Sequence, residues 1–395
     1  MTYAEVEIEQ VCDTGSGGTP SRAKQDLYFG GTIPWVKSGE LRESVITQTE
    51  ESLTEAGLNE SAAKLLPKDA LLVALYGATV GRVGILGIEA ATNQAVCHII
   101  PDRSRLDHRY LFHALRSKVP YWLSQRVGGG QPNISQGVIK KTKIPLPSLS
   151  EQKRIAEILD RAEALRAKRR AALALLDELT QSIFLDMFGD AEVQVSKWPV
   201  HKIAEYVNEF QGGKSLESND DKSSQYRVLK VSAVTGMKFR PEESKPIDDD
   251  YEPPEDHYVR NGDLLFSRAN TTELVGAVAY VTNCPQNLLL PDKLWRFVWK
   301  DKKAVHPLFV WYLFQTRPVR REIGNRATGT SGSMKNISKE KLFGIPTILP
   351  PIELQQTFAD RIIAIERMQD RLKESLSELN VLFATLQHQA FRGEL

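Results

Sequence analysis

This chain is written twice, and that duplication constrains its fold more than any other feature. Asn133-Ile134-Ser135 recurs 203 positions later as Asn336-Ile337-Ser338. The same offset carries Leu146-Pro147 onto Leu349-Pro350, Gln152 onto Gln355 and Phe188 onto Phe391. Upstream the correspondence continues with a drifting offset. Trp35-Val36-Lys37-Ser38 answers Leu229-Lys230-Val231-Ser232, Lys68-Asp69-Ala70-Leu71-Leu72 answers Gly262-Asp263-Leu264-Leu265-Phe266, and Arg109-Tyr110-Leu111-Phe112 answers Leu308-Phe309-Val310-Trp311. Matches in preserved order, separated by insertions that loops absorb, predict two related units. A chain of 395 residues is also longer than one core usually grows.

The end of each repeat reads as a long helix. Apolar residues recur at steps of three and four through Ile155, Ile158, Leu165, Leu176, Leu179 and Ile183. In the second copy they recur through Phe358, Ile365, Met368, Leu372, Leu379, Leu382 and Leu386. Such a narrow seam needs a partner, and each helix is the obvious partner of the other. Ser148 or Ser150 can cap the first helix, Glu151 favours its positive end, and Gly189 and Gly393 stand where the two helices stop. A helix from Glu151 to Phe188 is roughly 55 Å long at ~1.5 Å per residue.

The remainder of each repeat predicts a mixed α/β domain. Ala70–Tyr76 with Val83–Leu86, and Asp263–Ser267 with Val275–Val281, read as pairs of short buried strands. A helix follows Asp107, a natural N-cap, and another follows His306. The fold class is therefore α+β: two similar mixed domains, 1–147 and 191–349, separated by two long antiparallel helices, 148–190 and 350–395. The helices are expected to form a coiled coil, and the repeats to be related by a pseudo-two-fold axis.

Composition excludes several classes of function. No apolar run approaches a membrane-spanning length, and the acidic start through Glu5, Glu7 and Glu9 is unlike a signal peptide. Cys12, Cys97 and Cys284 lie far apart, which fits a reducing cytoplasm and argues against disulfides or structural zinc. There is no phosphate-loop motif, and Glu252-Pro253-Pro254-Glu255 lacks the flanking residues of an amino-methyltransferase loop. Gly15-Ser16-Gly17-Gly18 and Gly128-Gly129-Gly130 lack a dinucleotide-binding context and read as mobile or ligand-adjacent loops. No catalytic or metal-binding constellation stands out.

The net charge is only +1, but the charge is concentrated. Ile100–Lys143 holds nine Lys/Arg against two acids, a net of +7, and Lys293–Lys341 holds twelve against three, a net of +9. Basic blocks at matching places suit a polyanion. Base edges are read by Arg, Lys, Asn and Gln, and phosphates by cations and backbone N–H groups. The candidates in the first half are Lys37, Ser38, Thr79, Arg82, Asn93, Gln94, Arg126, Gln131, Asn133, Ser135 and Lys140. In the second they are Arg268, Asn270, Lys293, Arg296, Arg326, Lys335, Asn336 and Ser338.

Read together, the motifs resemble those of the specificity (S) subunits of type I restriction–modification systems. They are Gly17-Gly18-Thr19-Pro20-Ser21, Ile33–Leu41, the Asn-Ile-Ser loop, Ile144-Pro145-Leu146-Pro147, Glu151–Ala156 and Met187-Phe188-Gly189-Asp190, in that order. The resemblance implies a non-catalytic subunit whose two target-recognition domains each read half of a bipartite site in double-stranded DNA. It also implies two modification (M) subunits that bind S-adenosylmethionine and methylate adenine, and restriction (R) subunits that use ATP and Mg2+, with no cofactor in this chain. The second half departs from the pattern: Gly212-Gly213-Lys214-Ser215 replaces Gly-Gly-Thr-Pro, and no tryptophan answers Trp35. A single-chain nuclease or methyltransferase and a protein-binding coiled-coil scaffold remain alternatives at this point.

Overall fold

The computed structural model describes residues 3–125, 133–189, 198–218, 224–248, 250–331 and 334–395. It divides into two compact units, residues 1–171 with 373–395, and residues 172–372. Each unit thus contains one globular part and a stretch of both long helices, rather than ending where the helices begin.

In the first unit the central sheet comprises β1 (Cys12–Ser16), β2 (Val45–Ile46), β3 (Leu71–Ala74), β4 (Val83–Leu86) and β5 (Val96–Pro101), ordered β1-β5-β3-β4-β2. β3 and β4 are wholly buried, which explains why their sequences are continuous apolar runs rather than alternating ones. Helix α1 (His108–Ser124) covers the sheet, and Asp107 caps it by accepting from the N–H groups of Arg109 and Tyr110. A short helix α2 (Gln136–Lys140) leads to α3 (Leu149–Phe188), where Ser148 Oγ accepts from Glu151 N–H. The first half of α3 packs against the end of the C-terminal helix. Arg154 bonds the Leu395 carbonyl and Arg166 bonds Asn380, so the two helices run antiparallel in this unit.

The second unit has a four-stranded sheet of β6 (Val207–Gly212), β7 (Leu264–Ser267), β9 (Val278–Tyr280) and β10 (Leu294–Trp299), ordered β6-β10-β7-β9. Beside it, β8 (Ala269–Asn270), β11 (Thr328–Ser331) and β12 (Met334–Asn336) form a small sheet ordered β8-β12-β11. Helices α4 (Pro307–Leu313), α5 (Arg317–Arg326) and α6 (Lys339–Phe343) precede α7 (Ile352–Arg392). The rings of Phe184 and Phe188 on α3 each lie 5.5 Å from Phe358 on α7, in one core with Phe309.

Two sequence expectations need correction. The expected helix seam is only partly internal. Ile155, Phe358 and Ile365 are buried and Ile158, Leu176, Ile183, Leu372, Leu379 and Leu386 half-buried, but Leu165, Leu179, Met368 and Leu382 are exposed. The most buried face, with Leu159, Ala162, Phe184, Ile362 and Phe383, turns toward the globular cores, which offer more apolar area than a second helix can. The upstream alignment also slips by one residue. Leu86 O accepts from Asp69 N–H as Val281 O accepts from Gly262 N–H, and Asp69 and Gly262 share a positive φ, 69° and 90°. Asp69 therefore matches Gly262. Likewise Lys37 and Lys230 each precede a short 3-10 turn, so Trp35 matches Val228. A slip of one residue reverses every side chain on a strand, so short runs of similar apolar residues cannot fix it.

Candidate nucleic-acid interface

At one edge of the first unit, backbone bonds draw five loops together. Leu75 N–H donates to Ala95 O at 2.8 Å, and Ile134 N–H donates to Leu75 O at 2.7 Å. Asn93 N–H reaches Val36 O at 3.0 Å, and Gly18 N–H reaches Thr92 O at 2.8 Å. Tyr76 forms an isolated bridge with Asn133. A Cβ at Gly17 or Gly18 would lie 2.2 Å from backbone atoms of Thr92 or Ala62. Those glycines serve close packing, which counts against the mobile alternative of the expected mobile or ligand-adjacent loop.

The second unit repeats three of these links, but not the bond from Asn93 to Val36, since Pro291 stands at the matching position and has no N–H. Arg268 N–H donates to Lys293 O at 3.1 Å, Ile337 N–H donates to Arg268 O at 3.0 Å, and Ala269 pairs with Asn336 as Tyr76 pairs with Asn133. Gly213 N–H bonds Pro291 O, and a Cβ there would strike Leu290 O.

This geometry sorts the expected readers. Arg82, Gln94 and Asn133 are exposed around the first edge, with Thr79 half-buried on the turn beside Arg82. Lys293 is exposed at the second, where Lys335 Nζ bonds Gly329 O and Asn336 is half-buried. Arg82 and Lys293 make no ion pair among the described residues. Asn93 Oδ1 and Asn270 Nδ2 are buried without a hydrogen-bond partner among the described residues, an arrangement costing about 1–3 kcal/mol per group. Ser38 opens the short turn after Lys37, and Lys140 ends α2 half-buried.

Other candidates are already engaged within the protein. Lys37 Nζ lies 2.8 Å from Glu50 and 2.9 Å from Glu51, and these two hydrogen bonds raise its pKa. Arg22 and Lys37 in turn hold Glu51 down at about 2. Arg296 bonds Asp263 at 3.1 Å and the Tyr258 carbonyl at 2.8 Å inside its sheet. Arg268 grips Asp292, and Arg326 pairs with Glu322 one helical turn away. Ser135 and Ser338 cap α2 and α6, accepting from Val138 and Lys341 N–H groups, while Ile134 and Ile337 are buried. The Asn-Ile-Ser motif is thus an anchor and a helix cap with an asparagine beside them. Arg126 and Gln131, with Gly128–Gly130, fall outside the described residues.

Sequence reasoning missed Tyr76 and Met334, which stand exposed on these edges. The signal for Tyr76 was faint, since it sits just beyond a buried run. Among the described residues no cluster of His, Cys, Asp and Glu could hold a metal, and no helix is long and apolar enough to cross a membrane.

Residues 1–174 match the family model described as the type I restriction modification DNA specificity domain. This part of the chain is similar to that domain. Its relatives include the EcoKI specificity subunit of Escherichia coli K12, 24% identical over 388 residues, 92% of this chain and 82% of that protein. The MjaVIII specificity subunit of Methanocaldococcus jannaschii is 23% identical over 86% of this chain and 84% of its own length. The EcoR124I/EcoR124II specificity subunit of E. coli is 28% identical over 169 residues, a match spanning 41% of this chain and 42% of that protein. The S subunit of M. genitalium shares the fold, with a TM-score of 0.59, 15% identity and coverage of 98% and 96% of the two chains. A chain from a structure on complex assembly and conformational transition of the type I R-M system gives a TM-score of 0.60 at 18% identity, over 100% and 98%.

Proposed function

We propose that this chain reads an asymmetric bipartite site in double-stranded DNA, one half with each globular domain, and does no chemistry itself. The domains are residues 1–147 and 191–349, and the helical segments 148–190 and 350–395 act as an antiparallel coiled-coil spacer setting half-site separation. Modification subunits carrying S-adenosylmethionine, two per chain, and restriction subunits using ATP and Mg2+ supply catalysis, in the cytoplasm.

One observation carries the reading. Three of the same backbone links build an edge in both units, and the edges share an asparagine, Asn133 and Asn336, yet the other side chains presented differ: Arg82 and Gln94 on one, Lys293 and Lys335 on the other. A common scaffold with different donors is what two different half-sites require. Two readers on a stiff strut can address major-groove faces about one duplex turn, ~34 Å, apart.

Footprinting the S–M complex on random-sequence DNA tests this. A two-part motif is expected, with Arg82→Ala or Gln94→Ala relaxing only one half and Lys293→Ala only the other, by about 1–3 kcal/mol per lost base contact. A footprint indifferent to sequence, or a substitution that relaxes both halves equally, would defeat it.

A further inference from the structure

The run Leu71–Leu75 is buried throughout, yet the next residue, Tyr76, keeps 36% of its surface exposed. Its backbone is held on both sides. Ala74 N–H donates to Arg82 O and Gly81 N–H to Ala74 O, both at 2.9 Å, and Leu75 is bonded to Ala95 and Ile134. Gly77, at a φ of 80°, turns the chain away directly afterwards. Tyr76 and Asn133 face each other across an antiparallel bridge, so their side chains leave the edge side by side on one face. Neither side chain makes a hydrogen bond among the described residues. In the second unit Asn336 has the same place, but its neighbour is Ala269, only 5% exposed. An edge that keeps three of the same links thus closes without the ring. Packing alone does not call for a tyrosine here.

The residues around it name what such a ring can take. Arg82, Gln94 and Asn133 suit the donors and acceptors of base edges in the major groove. The apolar group displayed in that groove is the 5-methyl of thymine, which accepts contact from a ring such as phenylalanine's. A side chain with two rotatable bonds on a pinned backbone loses little freedom in making that contact. Burial raises the Tyr76 pKa from its ordinary 10, so the phenol stays uncharged beside phosphates at neutral pH. Wedging between base pairs belongs to proteins of the minor groove, where these neighbouring donors would find a poorer code. We propose that Tyr76 selects a thymine in the half-site read by the first domain, its ring covering the 5-methyl group of that base. The inference rests on the DNA reading above and adds to it a base and an atom. The contact belongs to one half-site only, since the buried Ala269 offers no ring at the matching place.

The test is competition binding of the S–M complex to its selected duplex, with each thymine in turn replaced by deoxyuridine, which lacks only the 5-methyl. In the half that Arg82→Ala relaxes, one replacement should weaken binding about fourfold, the yield of burying one methyl-sized group. Tyr76→Ala, which copies the second unit, should abolish that response, and Tyr76→Phe should keep it. Responses in the half that Lys293→Ala relaxes should be the same in Tyr76→Ala as in the parent. A first half-site without thymine on either strand, or one in which no replacement weakens the parent, overturns the proposal with no variant needed. A response that survives Tyr76→Ala does the same. So does a Tyr76→Phe variant that weakens every duplex alike, which would assign the residue to a phosphate through its hydroxyl. A complex without sequence preference sinks the DNA reading and this inference together, whereas a two-part motif indifferent to the methyl sinks the inference alone.

Discussion

In the first unit Gln152 accepts from the N–H of Asp107 at 2.8 Å and donates to the carbonyls of Arg105 and Pro147, both at 2.9 Å. In the second, Gln355 accepts from the N–H of His306 at 2.9 Å and donates to the carbonyls of Ala304 and Pro350, at 3.4 and 2.7 Å. Both glutamines are fully buried. Each ties the first turn of a long helix to the loop that starts α1 or α4, so the long helix leaves its globular part at a fixed angle. The loop edges, by contrast, keep part of their backbone bonding and change most of their exposed side chains. Sameness falls on what positions the long helices, and difference on the exposed loop edges.

The largest effect expected from this comparison is at the clamps. Gln152→Leu and Gln355→Leu each strand one N–H and two carbonyls in the interior. Each should cost about 3 kcal/mol, at 1–3 kcal/mol per unsatisfied group with some relief from water. Guanidinium denaturation of the two variants measures it. Losses of similar size would establish the equivalence, and a silent variant at either position would break it.

These clamps also show how much was legible beforehand. The pairing of Gln152 with Gln355 was visible as a match at constant offset, but not its job, because a glutamine in a helix's first turn is ordinarily solvated. The two long helices and the Asp107 cap were readable because periodicity and capping chemistry are local. The upstream register was not, since apolar strands such as Leu71–Ala74 and Leu264–Ser267 align equally well one residue apart until their hydrogen bonds are seen. Among the candidate readers, exposure of Arg82 could be guessed from its turn. The internal pairing of Arg296 and Lys37 could not, because their carboxylate partners lie 33, 13 and 14 residues away.

A smaller difference lies in how α1 and α4 are capped. Asp107 accepts from two N–H groups with its carboxylate, whereas His306 uses Nδ1, which accepts from Leu308 N–H only while unprotonated. Burial lowers the His306 pKa from its ordinary 6.5, against an opposing pull from Asp360. A lowered histidine pKa favours the neutral form in the fold. Its contribution is therefore complete above about 6.5 and is lost as pH falls from there through the lower folded value. His306→Asn keeps a neutral cap at every pH. Relative to the parent, the variant should gain about 1 kcal/mol between pH 7 and pH 5, and denaturation at the two values reads it. A pH-independent difference would mean that the imidazole does not titrate with folding, and the two caps would then be equivalent.

The smallest effect concerns a cation that the first unit silences and the second leaves open. Lys37 is held by Glu50 and Glu51, while Lys230, at the matching position, is exposed with no ion pair among the described residues. Glu51 is held near 2, well below its ordinary 4.5, first by its hydrogen bond to Arg22 and then by Lys37. Its contribution to stability is therefore complete above about 4.5, shrinks as pH falls from there, and is gone below about 2. Parent and Glu51→Gln should differ slightly at neutral pH and converge in acid. Replacing both acids, Glu50→Gln/Glu51→Gln, frees Lys37 and Arg22 as Lys230 is free. Affinity of the S–M complex for non-specific DNA should then rise by less than tenfold at low salt, and log K should fall more steeply with log[salt], by about 0.9 for each cation that gains a phosphate. An unchanged salt slope would place Lys37 and Arg22 away from the duplex. The donors of the first half-site would then narrow to those on the Tyr76–Arg82, Asn93–Gln94 and Asn133 loops.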